Sequence, residues 1–166
     1  MGMRAVIGAI DQVNTVIRWV IAGMLALLAV LVIVQIASRF VLPFSVHWTD
    51  EVARYAMIYV TFVGAALALR HARLIAIELL PESLPFRART VLKLTTLVLS
   101  MGFFSVLIVQ GWAMVGSVAG QTSAAAQFSM GIPYAAIPIG AMLLFMNSVA
   151  LFLELVLALR AGEEAS

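Results

Sequence analysis

The chain has 166 residues, of which 64% are hydrophobic and only 11% are charged, whereas a soluble domain has about 45–50% apolar and about 25% charged residues. A soluble globule of this composition would expose large apolar patches and aggregate, and disorder requires low hydrophobicity, so an integral membrane protein remains. The net charge of +2 is small, and the basic residues lie beside apolar runs, which suits anionic lipid headgroups and not nucleic acid.

The first apolar run covers residues 19–38 and carries no charge between Arg18 and Arg39. About 20 apolar residues are what a helix needs to cross a hydrocarbon core of roughly 30 Å. A cleaved signal peptide is the alternative, but its apolar region has only about 7–15 residues and ends in a small-residue cleavage site. We therefore predict a retained span over residues 17–39.

The remaining apolar runs predict three further spans, over residues 50–70, 92–118 and 134–159. The second holds 15 uncharged residues between Arg54 and Arg70, so it crosses only if these arginines extend to the interfaces. Residues 94–153 contain no formal charge and are too many for one span. The Gly-, Ser-, Gln- and Pro-rich stretch 119–133 divides them into two.

These runs lack the alternation of a membrane barrel, so the fold class is all-α, a single four-helix membrane domain over residues 1–166. Four spans place both termini on one side. That side holds eight basic residues, while the other holds only Arg39 and Arg54. The positive-inside rule then predicts cytoplasmic N- and C-termini.

The inventory of reactive side chains is small. The chain has no cysteine, which excludes disulfides, thiolate metal sites and cysteine nucleophiles. Its two histidines, His47 and His71, fall on opposite sides of the membrane in this topology, so they cannot ligate one haem together. We therefore expect neither enzymatic activity nor a cofactor, and no nucleic-acid partner.

The densest polar cluster is SVHWTDEVARY, residues 45–55, at the outer entrance to the second span. In a helix Asp50 and Arg54 are four residues apart, as are Glu51 and Tyr55, and such pairs interact. Trp48 suits the headgroup belt. One interpretation is an interfacial anchor whose charges neutralise each other, and the other is a docking cluster formed by Trp48, Asp50, Glu51 and Arg54.

A second group of polar residues lies on the opposite side of the membrane. We expect five basic residues there to face anionic lipid: Arg70, Arg73, Arg87, Arg89 and Lys93. Glu154 is the only charge in the fourth span, and we hypothesise that it pairs with Arg87, Arg89 or Lys93.

Several uncharged residues inside the spans suggest contacts between helices. Gln35, Gln110 and Asn147 can hydrogen-bond across helices at about 0.6–2 kcal/mol per bond. Gly116 and Gly120 form a GxxxG pattern near the outer end of the third span. None of the spans has a central carboxylate, which proton- and cation-coupled carriers generally expose to the pathway. This inventory favours a chain that assists a transporting partner.

Three stretches resemble the small membrane subunit (DctQ-type) of tripartite ATP-independent periplasmic (TRAP) transporters. They are WTDEVARYAMIYVTFVGAALALR at 48–70, IAIELLPESLP at 75–85 and MGIPYAAIPIG at 130–140. Within the first stretch Trp48, Glu51 and Arg54 match the family pattern. The family often has a histidine where this chain has Leu74, so no role is transferred to His71.

The resemblance implies a non-catalytic scaffold subunit in the bacterial inner membrane. In that family a large multi-span subunit carries the sodium and substrate sites, and a periplasmic binding protein transiently delivers a small organic acid, typically a carboxylate. Two alternatives remain open at this point. One is a self-contained small multidrug-type carrier, and the other is a membrane anchor subunit of a redox complex.

Overall fold

The computed structural model describes residues 2–41, 47–71, 86–124 and 126–164. Within these residues the chain forms four long helices and one single-turn helix. They are α1 (Gly2–Val41), α2 (His47–His71), α3 (Phe86–Val118), α4 (Gly131–Tyr134) and α5 (Ala136–Glu164). Each long helix contains a segment that is long and apolar enough to cross a membrane, which confirms the all-α prediction with four spanning helices.

The first helix is much longer than the span predicted for it. It begins at Gly2 and has 40 residues, so at 1.5 Å per residue it is about 60 Å long, twice the thickness of a hydrocarbon core. Its apolar segment starts at Met3. The sequence analysis placed the start near residue 17 because Arg18 interrupts the apolar run there.

The long helices alternate in direction, and α2 and α5 lie in the middle of the bundle. The helix α2 packs against α1 on one side and α5 on the other, and α5 also packs against α3. We call the end that holds the start of α1 and the end of α5 the termini end. The opposite end, which holds the α3–α4 connection over residues 119–130, is the hairpin end.

The outer helix α1 packs through one narrow face with a seven-residue repeat. Its non-exposed side chains between Met3 and Ser38 recur at alternating steps of three and four residues, and the positions between them are exposed. From Ile10 onward this face contains Ile10, Asn14, Ile17, Ile21, Met24, Leu28, Leu31, Gln35 and Ser38. A strict seven-residue repeat keeps one helix face against a neighbour along its whole length.

Small residues bring the central helices together. A Cβ built on Gly140 of α5 would lie 2.6 Å from the Cβ of Phe62 in α2, and one on Gly111 of α3 would lie 3.0 Å from Cδ of Pro138. Small residues allow close backbone approach between membrane helices. Gly116 and Gly120 of the GxxxG pattern have nothing within 4 Å of such a Cβ, so they make no close contact within the described chain.

Pro138 fits this packing without interrupting α5. It is the third residue of the helix. A backbone N–H at this position has no partner inside the helix, so no helical hydrogen bond is lost because proline lacks one. The break between α4 and α5 lies at Ala135, three residues before this proline.

The contact between Gly140 and Phe62 predicts a strong effect of a single methyl group. We expect Gly140→Ala to destabilise the bundle by about 1–3 kcal/mol, because the added carbon overlaps packed atoms of α2. The matched control is Gly102→Ala, where an added Cβ meets nothing within 4 Å and alanine favours the helix by up to about 1 kcal/mol. Unfolding in detergent, followed by circular dichroism, would measure both variants. Equal stability of the two would contradict close α2–α5 packing.

Candidate functional site

At the hairpin end, the two acids at the start of α2 bind other parts of the same chain. The side-chain amide of Gln35 in α1 donates a hydrogen bond to Asp50. Glu51 accepts one from the hydroxyl of Tyr55 at 2.6 Å and another from the backbone N–H of Ala126 at 2.8 Å. These contacts attach α2 to α1 and to the α3–α4 connection.

The connection over residues 119–130 has its own local structure. Thr122 and Ser129 form an isolated antiparallel bridge, and the N–H of Ser123 donates to the carbonyl oxygen of Phe128 at 2.9 Å. Gln127 has a φ of 56°, which is the left-handed conformation that a tight reversal requires. In the part of it that the structure describes, the break predicted for residues 119–133 is therefore a turn that leads into α4.

Two tyrosines of α2 hold this turn and α4 against the bundle. The ring of Tyr55 packs edge-on against Phe128 with centroids 5.9 Å apart. The hydroxyl of Tyr59 donates to the carbonyl oxygen of Ile132 at 2.6 Å. Aromatic rings that end in a polar group suit this depth, because the ring packs in apolar surroundings while the hydroxyl finds a partner.

The residues predicted as an anchor or docking cluster therefore divide into two pairs. Asp50 and Glu51 bind within the chain, and Asp50 forms no ion pair with Arg54 among the described residues. Trp48 and Arg54 are exposed, and the Trp48 side chain is 51% accessible. The two carboxylates of this cluster thus join α2 to α1 and to the α3–α4 connection.

At the termini end, one arginine joins three helices. The guanidinium of Arg70 in α2 forms ion pairs with Asp11 of α1 at 2.8 Å and with Glu154 of α5 at 2.6 Å. The Arg70 side chain is only 11% exposed, whereas those of Asp11 and Glu154 are 50% and 42% exposed. Both ion pairs found among the described residues thus involve Arg70.

This arrangement bears on two expectations of the sequence analysis. Arg70, for which the sequence predicts contact with anionic lipid, ends the central helix α2 and forms ion pairs with α1 and α5. Glu154 pairs with Arg70 and not with Lys93, which is half-buried on α3. Arg73, and the side chains of Arg87 and Arg89, lie outside the described residues, as does the segment 75–85.

Two buried asparagines form a closed pair about one helical turn deeper in the bundle. Asn147 of α5 and Asn14 of α1 exchange hydrogen bonds of 2.6 Å and 3.1 Å. Each amide nitrogen uses its second hydrogen on a backbone carbonyl oxygen, that of Ala66 for Asn147 and that of Ile10 for Asn14. The prediction that Asn147 joins helices is confirmed, and Asn14 is the partner that the sequence analysis missed.

The polar clusters at the two ends are separated by about one membrane thickness. Twenty residues of α2 separate Asp50 from Arg70, which is about 30 Å of helical rise. A typical hydrocarbon core has the same thickness. The charged groups of both clusters therefore fall at the two boundaries of the membrane, with the neutral asparagine pair between them.

The fold and the polar clusters at its two ends define a class: a small multi-pass helical membrane protein in which Asp11, Asp50, Glu51 and Glu154 form contacts that hold its helices and hairpin together. Residues 13–158 match the family described as "Tripartite ATP-independent periplasmic transporters, DctQ component". The chain therefore belongs to the DctQ component family of TRAP transporters. Members of this family are transport components and not enzymes, and the chain is a multi-pass protein of the bacterial inner membrane.

Three curated relatives support this assignment. The chain is 32% identical over 110 residues to the sialic acid TRAP transporter small permease protein SiaQ of Vibrio cholerae, covering 66% of this chain and 60% of that protein. It is 30% identical over 92 residues to the ectoine TRAP transporter small permease protein TeaB of Halomonas elongata, covering 55% and 48%. A putative TRAP transporter small permease protein of Haemophilus influenzae is 27% identical over 84 residues, covering 51% and 52%. The matches thus span about half of these relatives' lengths.

The asparagine pair predicts a non-additive response to substitution. We expect Asn147→Leu to destabilise the bundle by about 0.6–2 kcal/mol, because it leaves the amide of Asn14 and the carbonyl of Ala66 without their partner. Replacing both asparagines by leucine should cost less than the two single changes together, since no unpaired amide remains. Unfolding in detergent would give the three free energies. The control is Gln110→Leu on the exposed face of α3, and a loss there equal to that of Asn147→Leu would contradict this assignment.

Proposed function

We propose that this chain is the non-transporting scaffold subunit of a TRAP transporter that imports a small organic acid. In this proposal a large multi-span membrane subunit moves the substrate together with sodium, and a periplasmic binding protein hands the substrate over. The observation that carries the proposal is the distribution of charge. The described carboxylates within the bundle lie at its two ends, and the buried polar pair between them, Asn14 and Asn147, is neutral.

The cost of charge in lipid explains why this distribution argues for a scaffold. A charged side chain at the bilayer centre costs about 2.5–3.5 kcal/mol on insertion scales, so it is found there mainly where a pathway requires it. In this chain Asp11 and Glu154 are at one boundary, and Asp50 and Glu51 are at the other. Each forms contacts within the chain that fix the positions of helices.

The substrate class rests on the relatives and not on this chain. Two of them are named for sialic acid and for ectoine, and both of these molecules carry a carboxylate. Specificity would reside in the partner subunits, so this chain would serve any member of the class. The excess of basic residues on one side further supports a topology with both termini in the cytoplasm.

Reconstitution into liposomes tests the scaffold role. We expect the chain alone to give no sodium-dependent uptake of an organic acid, because its described residues place no carboxylate at mid-depth. The chain together with a large subunit and a binding protein from the same organism should give uptake that requires all three. Sodium-dependent uptake by the chain alone would refute the proposal, and equal uptake by the other two proteins without it would refute the scaffold role.

The docking part of the proposal assigns contact with the large subunit to Trp48 and Arg54. Both are exposed at the hairpin boundary, beside two acids that hold α2 in place. An exposed tryptophan and arginine are the residue types that most often dominate binding energy at protein interfaces.

Co-purification tests this assignment. We expect Trp48→Ala and Arg54→Gln each to reduce recovery of the large subunit with the tagged chain, while the thermal stability of the chain stays unchanged. The matched control is Trp112→Ala on α3, where the side chain is 48% exposed. Loss of the complex with Trp112→Ala, together with full recovery with both α2 variants, would contradict this assignment and indicate that the interface lies on α3.

A further inference from the structure

A cavity of about 320 Å³ opens at the termini end between α1, α2 and α5. Its lining includes two arginines, Arg18 and Arg70, and two carboxylates, Asp11 and Glu154. We propose that this cavity binds the headgroup of one phospholipid with a primary ammonium group, of the phosphatidylethanolamine class. The proposal needs only this chain, so it stands apart from the proposed transport role.

The depth of the cavity matches a headgroup. Arg70 lies about 30 Å from Asp50 along α2, so the cavity is at a boundary of the hydrocarbon layer and not inside it. Its polar lining meets lipid at the level where lipids carry their phosphate and amine. Leu151 lies one helical turn deeper than Glu154 on α5 and gives the cavity an apolar side toward the hydrocarbon.

The charges of the cavity favour a ligand that carries both a positive and a negative group. The two arginines balance the two carboxylates, so the cavity with a bound zwitterion has no net charge. Arg70 binds one oxygen of each carboxylate, Oδ1 of Asp11 and Oε1 of Glu154. A carboxylate accepts more hydrogen bonds than these, and both acids are at least 42% exposed. They therefore offer acceptors for an ammonium group.

Arg18 supplies the complementary contact for the phosphate. It lies on the cavity wall and takes part in neither of the ion pairs found among the described residues. On α1 it is seven residues deeper than Asp11, about 10 Å. Helical side chains lean toward the N-terminus of their helix, which here is toward the boundary. The Arg18 side chain is therefore long enough to extend from its deeper position toward Asp11. In a phospholipid the phosphate likewise lies below the ammonium.

The lining disfavours the other common headgroups. Choline has no N–H to donate to a carboxylate, and proteins bind it in cages of aromatic rings. Among the residues that the structure describes, the cavity lining contains no Phe, Tyr or Trp. Phosphatidylglycerol provides a phosphate but no ammonium, and its negative charge would lie close to Asp11 and Glu154 without compensation.

Native mass spectrometry of the delipidated chain in detergent tests the proposal with three lipids of identical acyl chains. We expect phosphatidylethanolamine to add one molecule per chain, at a lower concentration than phosphatidylcholine or phosphatidylglycerol. Binding should weaken stepwise as the amine is methylated, because each methyl group removes one N–H donor. Equal binding of the three headgroups would overturn the proposal, as would a preference for phosphatidylglycerol.

Two variants locate the binding to this cavity. Arg18→Gln should weaken phosphatidylethanolamine binding about tenfold, the effect of one charge-assisted hydrogen bond, without changing thermal stability. Arg4→Gln is the control, since Arg4 is exposed on the same helix and outside the cavity lining. Asp11→Asn should abolish the preference for phosphatidylethanolamine over phosphatidylglycerol. Unchanged binding in Arg18→Gln, or an equal loss in Arg4→Gln, would contradict the assignment.

Discussion

In a bundle whose outer surface is as apolar as the lipid around it, the hydrophobic effect provides little preference for one helix arrangement over another. Directional contacts between polar side chains then fix which faces meet. Here they lie at three levels: Gln35 with Asp50 at one boundary, Arg70 with two acids at the other, and the Asn14–Asn147 pair between them. All three levels include α1, which otherwise packs only through one narrow face. The position of the long first helix therefore depends on these few polar contacts, whereas α2 and α5 are also joined by close packing at Gly140.

The two boundary clusters use charge in different ways. At the termini end a largely buried cation shares two half-exposed carboxylates, so its charge is compensated while the acids keep contact with polar surroundings. At the hairpin end the acids are held by an amide, a phenol hydroxyl and a backbone N–H. Arg54 and Trp48 consequently remain exposed on an element whose position is already fixed. A contact surface on a rigid element loses little conformational entropy on binding, which fits the proposed scaffold role.

The sequence was sufficient to predict the four spans, because long apolar runs between charges have few alternatives in lipid. It also identified Asn147 as a contact between helices. It could not assign Arg70, since an arginine at the end of a span suits lipid headgroups and an ion pair equally well until the neighbouring helices are known. Asp11 and Asn14 were missed because the first span was expected to start after them. One signal was available, since Asn14 and Gln35 are three seven-residue repeats apart and therefore mark one face of a helix that is apolar all round.

The same repeat bears on what the chain can do within a transporter. A movement of α1 against its neighbours would have to break several contacts at once, because α1 is attached at both boundaries and about one helical turn inside the termini end. Each buried polar group left unpaired would cost about 1–3 kcal/mol. The asparagine contact inside the bundle is neutral, so it neither attracts an ion nor changes with its passage. Such a bundle fits the proposed scaffold role, in which this chain remains fixed and the large subunit moves the substrate.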